Sequence, residues 1–217
     1  MSWFLDHTGQ VLDYGLQHVY LAGLPLLLGL LIALPIGWLA RRHRFLYPPI
    51  VAGSGLLFTI PSLALFVLLP GILGYVRDTN ILDPVNVVVA MTIYTVALLV
   101  RTVADGLGSV PDDVNQAATA MGYRRLSRFF RVELPLAVPV ISAGLRVAAV
   151  SNVSIVSVAS LIGVSQLGLF LTDGYARSFG TELLVGIGSC IVLALLFDLT
   201  IQLVTRLLTP WQRAVAS

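Results

Sequence analysis

Two charged residues stand where charge is expensive. Arg146 and Asp198 each lie inside an otherwise apolar run, two to three helical turns from its arginine-flanked end. Similar depth and opposite sign predict an intramembrane ion pair, because an isolated charge there is costly; a proton relay is the sharper alternative. A second polar group reads Val150-Ser-Asn-Val-Ser-Ile-Val-Ser-Val-Ala-Ser160. Its serines at 151, 154, 157 and 160 recur three apart and make a drifting stripe on one helical face, with Asn152 beside it. Such groups either bond between helices or line a path for a polar solute, and Ser151, Asn152, Ser154 and Ser157 are candidates for the latter. No catalytic residue and no metal site is expected. His7, His18 and His43 fall at the edges of apolar runs with no acidic partners at ligand spacing, and Cys190 is a lone thiol in an apolar segment. Among the 13 basic residues there is no Lys, so the phosphate-binding Gly-x-x-x-x-Gly-Lys-Ser/Thr loop is impossible.

The elements that carry these residues are membrane spans. Hydrophobic residues make up 57% and charged residues 11%, with a mean hydropathy of +0.92. Soluble domains carry about 25% charged residues, so this chain could not coat a globular surface. A net charge of +2 gives no reason to expect a nucleic-acid partner. About 20 apolar residues cross the bilayer core as a helix, and five segments qualify, at about 19–40, 50–75, 85–105, 137–161 and 183–205. The expectation is an all-α membrane protein with one transmembrane domain over residues 1–217. The N-terminal stretch lacks a basic region and is not expected to be a cleaved signal peptide. With the N-terminus outside, ten arginines (41, 42, 44, 101, 124, 125, 128, 131, 206, 213) fall on the inner side and two (77, 177) outside. This asymmetry places the C-terminus and the loop 101–135 in the cytoplasm. Helix breakers interrupt several spans. Thr59-Ile60-Pro61-Ser62 lies mid-span, and Thr59, Pro61 and Ser62 are candidates for a path-lining break, because irregular backbone in a membrane needs protein or water beside it. The pairs Gly53/Gly55 and Gly186/Gly188 suggest close helix packing. The segment 163–180, with Gln166, Asp173, Tyr175 and Arg177, is an outer surface suited to docking.

The cytoplasmic loop 109–135 is the most specific stretch. Pro111-Asp112-Asp113 opens a helix with acidic groups in its first turn, Val114, Ala117, Ala118 and Met121 recur at helical spacing, and Gly122 stops it. A second short helix through Leu126, Phe129, Phe130 and Val132 is expected to end at Leu134-Pro135, with Arg124, Arg125, Arg128 and Arg131 interspersed. Periodicity alone leaves two readings open, a hairpin lying in the lipid interface and a knob for a partner protein.

The spacing of this loop resembles the "EAA" motif of ABC importer permeases: Glu-Ala-Ala, three residues, Gly, nine residues, Ile-x-Leu-Pro. Gln116-Ala117-Ala118, Gly122 and Val132-Glu133-Leu134-Pro135 follow it without a gap, with Gln116 for Glu and Val132 for Ile. Thr59–Leu65, Glu133–Arg146 and Ala159–Gly163 with Leu167-Gly168 are similar to the branch that moves glycine betaine, carnitine and choline. Methionine-type permeases share the five-span layout and are the alternative, as is a secondary transporter without an ATPase. The resemblance implies a type I importer permease in a bacterial inner membrane, whose coupling residues are Gln116, Ala117, Ala118, Gly122, Val132, Leu134 and Pro135. It further implies a second permease subunit, like or unlike, an extracytoplasmic binding protein, and two ATPase subunits that bind ATP and Mg. This chain would hold no cofactor. ATP would close the ATPase pair, the loop would move with it, and the spans would alternate between inward- and outward-open forms.

Overall fold

The computed structural model describes residues 2–77 and 83–211. A short helix α1 (Ser2–Asp6) leads into α2 (Thr8–Arg42), which runs unbroken through Pro25 and Pro35. At 1.5 Å per residue its 35 residues span about 52 Å, well beyond a bilayer core of about 30 Å. The helix therefore begins at Thr8 although the apolar run begins near Val19; hydropathy marks only the part that meets lipid. His18, expected at a span edge, is enclosed within this helix's packing surface.

The second span is a bent pair. Helices α3 (Tyr47–Thr59) and α4 (Ser62–Arg77) meet at 96°. Pro61 supplies no backbone N–H, and Ile60 preceding it is forced into extended backbone (φ −64°, ψ 128°). Helix α5 (Pro84–Gly108) starts on Asp83, whose carboxylate accepts the Val85 N–H at 2.9 Å, with Pro84 in the first turn where its missing N–H costs nothing. It is the most buried of the long helices and touches α2, α3, α4 and α8.

Close approach of α2 to α5 follows from a stripe of small residues, Gly29, Ala33 and Gly37, one turn apart. A Cβ on Gly29 would stand 2.4 Å from Thr95 Cγ2, and one on Gly37 2.6 Å from Val103 Cγ1. The glycine pairs singled out in the sequence behave differently. Gly53, Gly55 and Gly188 face open space, whereas Gly186 does lie against Phe170 and Leu171.

The cytoplasmic loop holds α6 (Asp112–Ala120) and α7 (Arg125–Arg128). The latter does not stop at Leu134-Pro135. A π turn over Phe129–Glu133 carries it straight into α8 (Leu134–Ser157), the Leu134 N–H reaching back to the Phe129 carbonyl. Widening by one residue per turn lets the helix absorb a proline that would otherwise end it. A 3-10 turn over Val158–Ile162, a short helix α9 (Leu169–Ala176) and the final span α10 (Gly180–Leu208) complete the chain. Four long helices and the bent pair give the five-span layout. Arg213 lies outside the described residues.

Candidate functional site

The loop between α5 and α8 folds into a hydrogen-bonded knob. Helix α6 ends in paired reverse bonds, Gly122 N–H to the Thr119 carbonyl (3.0 Å) and Tyr123 N–H to the Ala118 carbonyl (3.1 Å). Gly122 sits at φ +86°, left-handed backbone that glycine adopts without penalty. Arg128 ties the two helices together: its Nε donates to Glu133 Oε1 at 2.6 Å and its Nη1 to Thr119 Oγ1 at 2.7 Å. Phe129 anchors the knob inward against Trp38 of α2, ring centroids 5.7 Å apart. Ala118 is buried beneath the knob, while Gln116, Ala117 and Gly122 face outward, and Val132, Leu134 and Pro135 are half-buried where α7 runs into α8. Three large apolar side chains remain exposed at its tip, Met121 (70%), Leu126 (64%) and Phe130 (62%). Exposed large apolar side chains on a constrained backbone are the kind of surface that a partner covers.

Arg146 and Asp198 meet in a two-point ion pair between α8 and α10. Nε lies 2.5 Å from Oδ1 and Nη2 3.0 Å from Oδ2, and Gln202 Nε2 donates to the same carboxylate at 2.8 Å. The side chains are 42% and 19% exposed in this single chain, and mutual pairing lowers the cost of holding either charge within a span. We expect Arg146→Ala and Asp198→Ala each to lower the amount of assembled protein, and the double substitution to recover part of that loss. Quantitative membrane assembly assays check this; a double variant worse than the combined singles contradicts it.

The polar residues of α8 do not act as one stripe. Asn152 turns into the bundle, donating to the Ala22 carbonyl (3.2 Å) and to Thr95 Oγ1 (3.0 Å), and so joins α2, α5 and α8. Ser157 bonds back to Val153 and lies 3.6 Å from Cys190 Sγ; Ser160 bonds back to Ser157. Ser154 is exposed and Ser151 half-buried. Thr59, Pro61 and Ser62 form the break between α3 and α4, where the Tyr94 hydroxyl donates to the Ile60 carbonyl and its ring stands edge-on to Phe58.

One cluster has no counterpart in the sequence reading. His18 is fully buried with Nδ1 3.0 Å from Gln166 Oε1 and Nε2 3.0 Å from the Val153 carbonyl. Gln166 also accepts the Gly168 N–H and donates to the Ser157 carbonyl. This clasp ties the segment before α9 to α2 and α8. Gln166 is therefore not part of an outer docking surface; Tyr175 and Arg177 are exposed there and Asp173 is half-buried, with Arg177 3.4 Å from Asp173. The partners are 148 residues apart in sequence, and nothing local signals the pairing.

Four long helices and one bent pair thus form a helical bundle that carries an apolar-tipped knob between its third and fourth spans. The chain matches, over residues 26–214, the family described as binding-protein-dependent transport system inner membrane component, and belongs to it. It is a multi-pass protein of the inner membrane. It is 32% identical over 211 residues to the osmoprotectant import permease protein OsmW of Salmonella typhimurium (strain LT2), covering 97% of each chain. It is 27% identical to the glycine betaine/carnitine/choline transport system permease protein OpuCD of Bacillus subtilis (strain 168), covering 96% of this chain and 89% of that one. Its fold is shared with a chain of the MetNI methionine ABC transporter in an inward-facing conformation, at a TM-score of 0.84 and 19% identity, covering 94% and 98% of the two chains.

Proposed function

We propose that this chain is the permease of an ATP-driven importer for a small compatible solute of the glycine betaine, carnitine, choline or proline kind. The observation that carries the solute class is the end-to-end similarity to a permease named for osmoprotectant import. Two ATPase subunits, binding ATP and Mg, grip the knob from below; a second permease subunit completes the path; an extracytoplasmic protein delivers the solute. The exposed Met121, Leu126 and Phe130 supply contact area for the ATPase, and the bonds of Arg128 keep the knob stiff enough to transmit a push into α8. Because α7 continues through the π turn into that span, movement of the knob is movement of the span. Coupling of this kind needs contacts that differ between the two states. The break at Thr59-Ile60-Pro61-Ser62, with Ser151 and Ser154 of α8, offers polar backbone and hydroxyls to the translocated solute.

Gln116 is exposed, and its neutral amide offers hydrogen bonds but no carboxylate, so contact there rests on shape and hydrogen bonding. Reconstitution of the chain with its ATPase and binding protein tests the reading. ATP-dependent uptake of labelled glycine betaine, carnitine or choline, undiminished by excess methionine, is the expected result. Methionine uptake without betaine uptake overturns the solute class, and uptake without ATP overturns the importer.

A further inference from the structure

Four arginines converge on one cavity of about 430 Å3 at the cytoplasmic end of the bundle. Arg41 and Arg42 come from the end of α2, Arg125 and Arg128 from the loop, and the carboxylates on the wall are Asp112 and Glu133. Two of the cations are spoken for: Arg41 lies 3.8 Å from Asp112 and Arg128 2.6 Å from Glu133. Arg42 and Arg125 have no carboxylate at ion-pair distance among the described residues. The guanidinium carbon of Arg42 instead lies 5.4 Å from the centroid of Trp38. Four guanidinium groups against two carboxylates leave the cavity positively charged, with the surplus on two groups from different elements.

The height of the cavity matters as much as its sign. Arg41 and Arg42 end the apolar run of α2, and Trp38 lies one turn inside them, the combination that marks the headgroup layer. At that depth the abundant anion is phosphodiester, and guanidinium forks match its oxygens. We propose that this cavity binds the phosphodiester headgroup of an anionic membrane phospholipid, held chiefly by Arg42 and Arg125. The lipid then bridges the end of α2 and the start of α7, bracing the coupling loop against the bilayer. An acidic side chain of the ATPase is the less favoured occupant, because the apolar tip offered to a partner is Met121, Leu126 and Phe130, while Arg42 is rooted in a span behind it. The inference rests on the five-span topology and is independent of the solute.

The test uses the assembled transporter in detergent, titrated with short-chain phosphatidylglycerol, phosphatidylcholine or inorganic phosphate, with bound lipid counted by native mass spectrometry. The expected result is a preference for phosphatidylglycerol that falls about tenfold or more in R42Q/R125Q and by a smaller factor in R42K/R125K, which keeps the charge but loses the fork. Inorganic phosphate should not compete. Equal retention of both lipids, or an unchanged preference in R42Q/R125Q, overturns the proposal. Displacement by inorganic phosphate reassigns the cavity to soluble anions. Loss of the ATPase from R42Q/R125Q with lipid preference intact assigns the arginines to the partner.

Discussion

Gly122→Val should abolish transport while leaving the membrane bundle in place. At φ +86° any side chain is strained by about 1–2 kcal/mol, and a β-branched one by more. Space is not the obstacle, since a Cβ at this position meets nothing within 4 Å. The conformation itself is the constraint. Relieving it means giving up the reverse bonds to Thr119 and Ala118, and with them the angle at which α6 meets α7. We expect solute uptake per assembled transporter to fall at least tenfold, with helical content by circular dichroism unchanged. Gly122→Asn, which tolerates left-handed backbone, should keep most of the activity. Equal uptake by the Val and Asn variants would show that the angle of the knob does not matter.

The second large effect is expected at Gly168, for the opposite reason. Its backbone is ordinary (φ −64°), but a Cβ there would lie 2.3 Å from the Ser157 carbonyl oxygen and 2.9 Å from Ser157 Cα. The obstacle is backbone, so no rotamer change relieves it. Gly168→Ala must push the segment off α8 and break the Gln166 clasp on His18. A cost of about 1–3 kcal/mol follows, seen as a lower midpoint of thermal unfolding for the purified protein. Gly180→Ala, where a Cβ has open space, is the matched control and should leave the midpoint unchanged.

These two glycines also show what could be read from the sequence. Gly122 was legible because helix ends obey local rules: an acidic first turn, apolar spacing, then glycine. The five spans were legible because bilayer thickness sets a length, and the arginine asymmetry set their direction. Opposite charges at matched depth pointed from Arg146 to Asp198. Gly168 and the His18–Gln166 clasp were not legible, because close approach and pairing across 148 residues leave no periodicity. Pro135 misled in a different way. Proline ordinarily ends a helix, and only the π turn before it lets α7 and α8 join, a geometry that no residue type announces. Asn152 sits one position off the serine stripe, and that single step turns it from the face of α8 into the bundle.

In the proposed mechanism the knob at 112–134 grips the ATPase and moves with its cycle. Cys190 is the sole cysteine, so Cys190→Ala provides a background for one new thiol. In it, Ala117→Cys, exposed on the outer face of α6, is to be crosslinked within the assembled transporter with and without ATP and vanadate. A crosslink to the ATPase whose yield changes with nucleotide is the predicted result. A thiol that labels freely from the lipid or aqueous phase in every state, and never joins the ATPase, would contradict it.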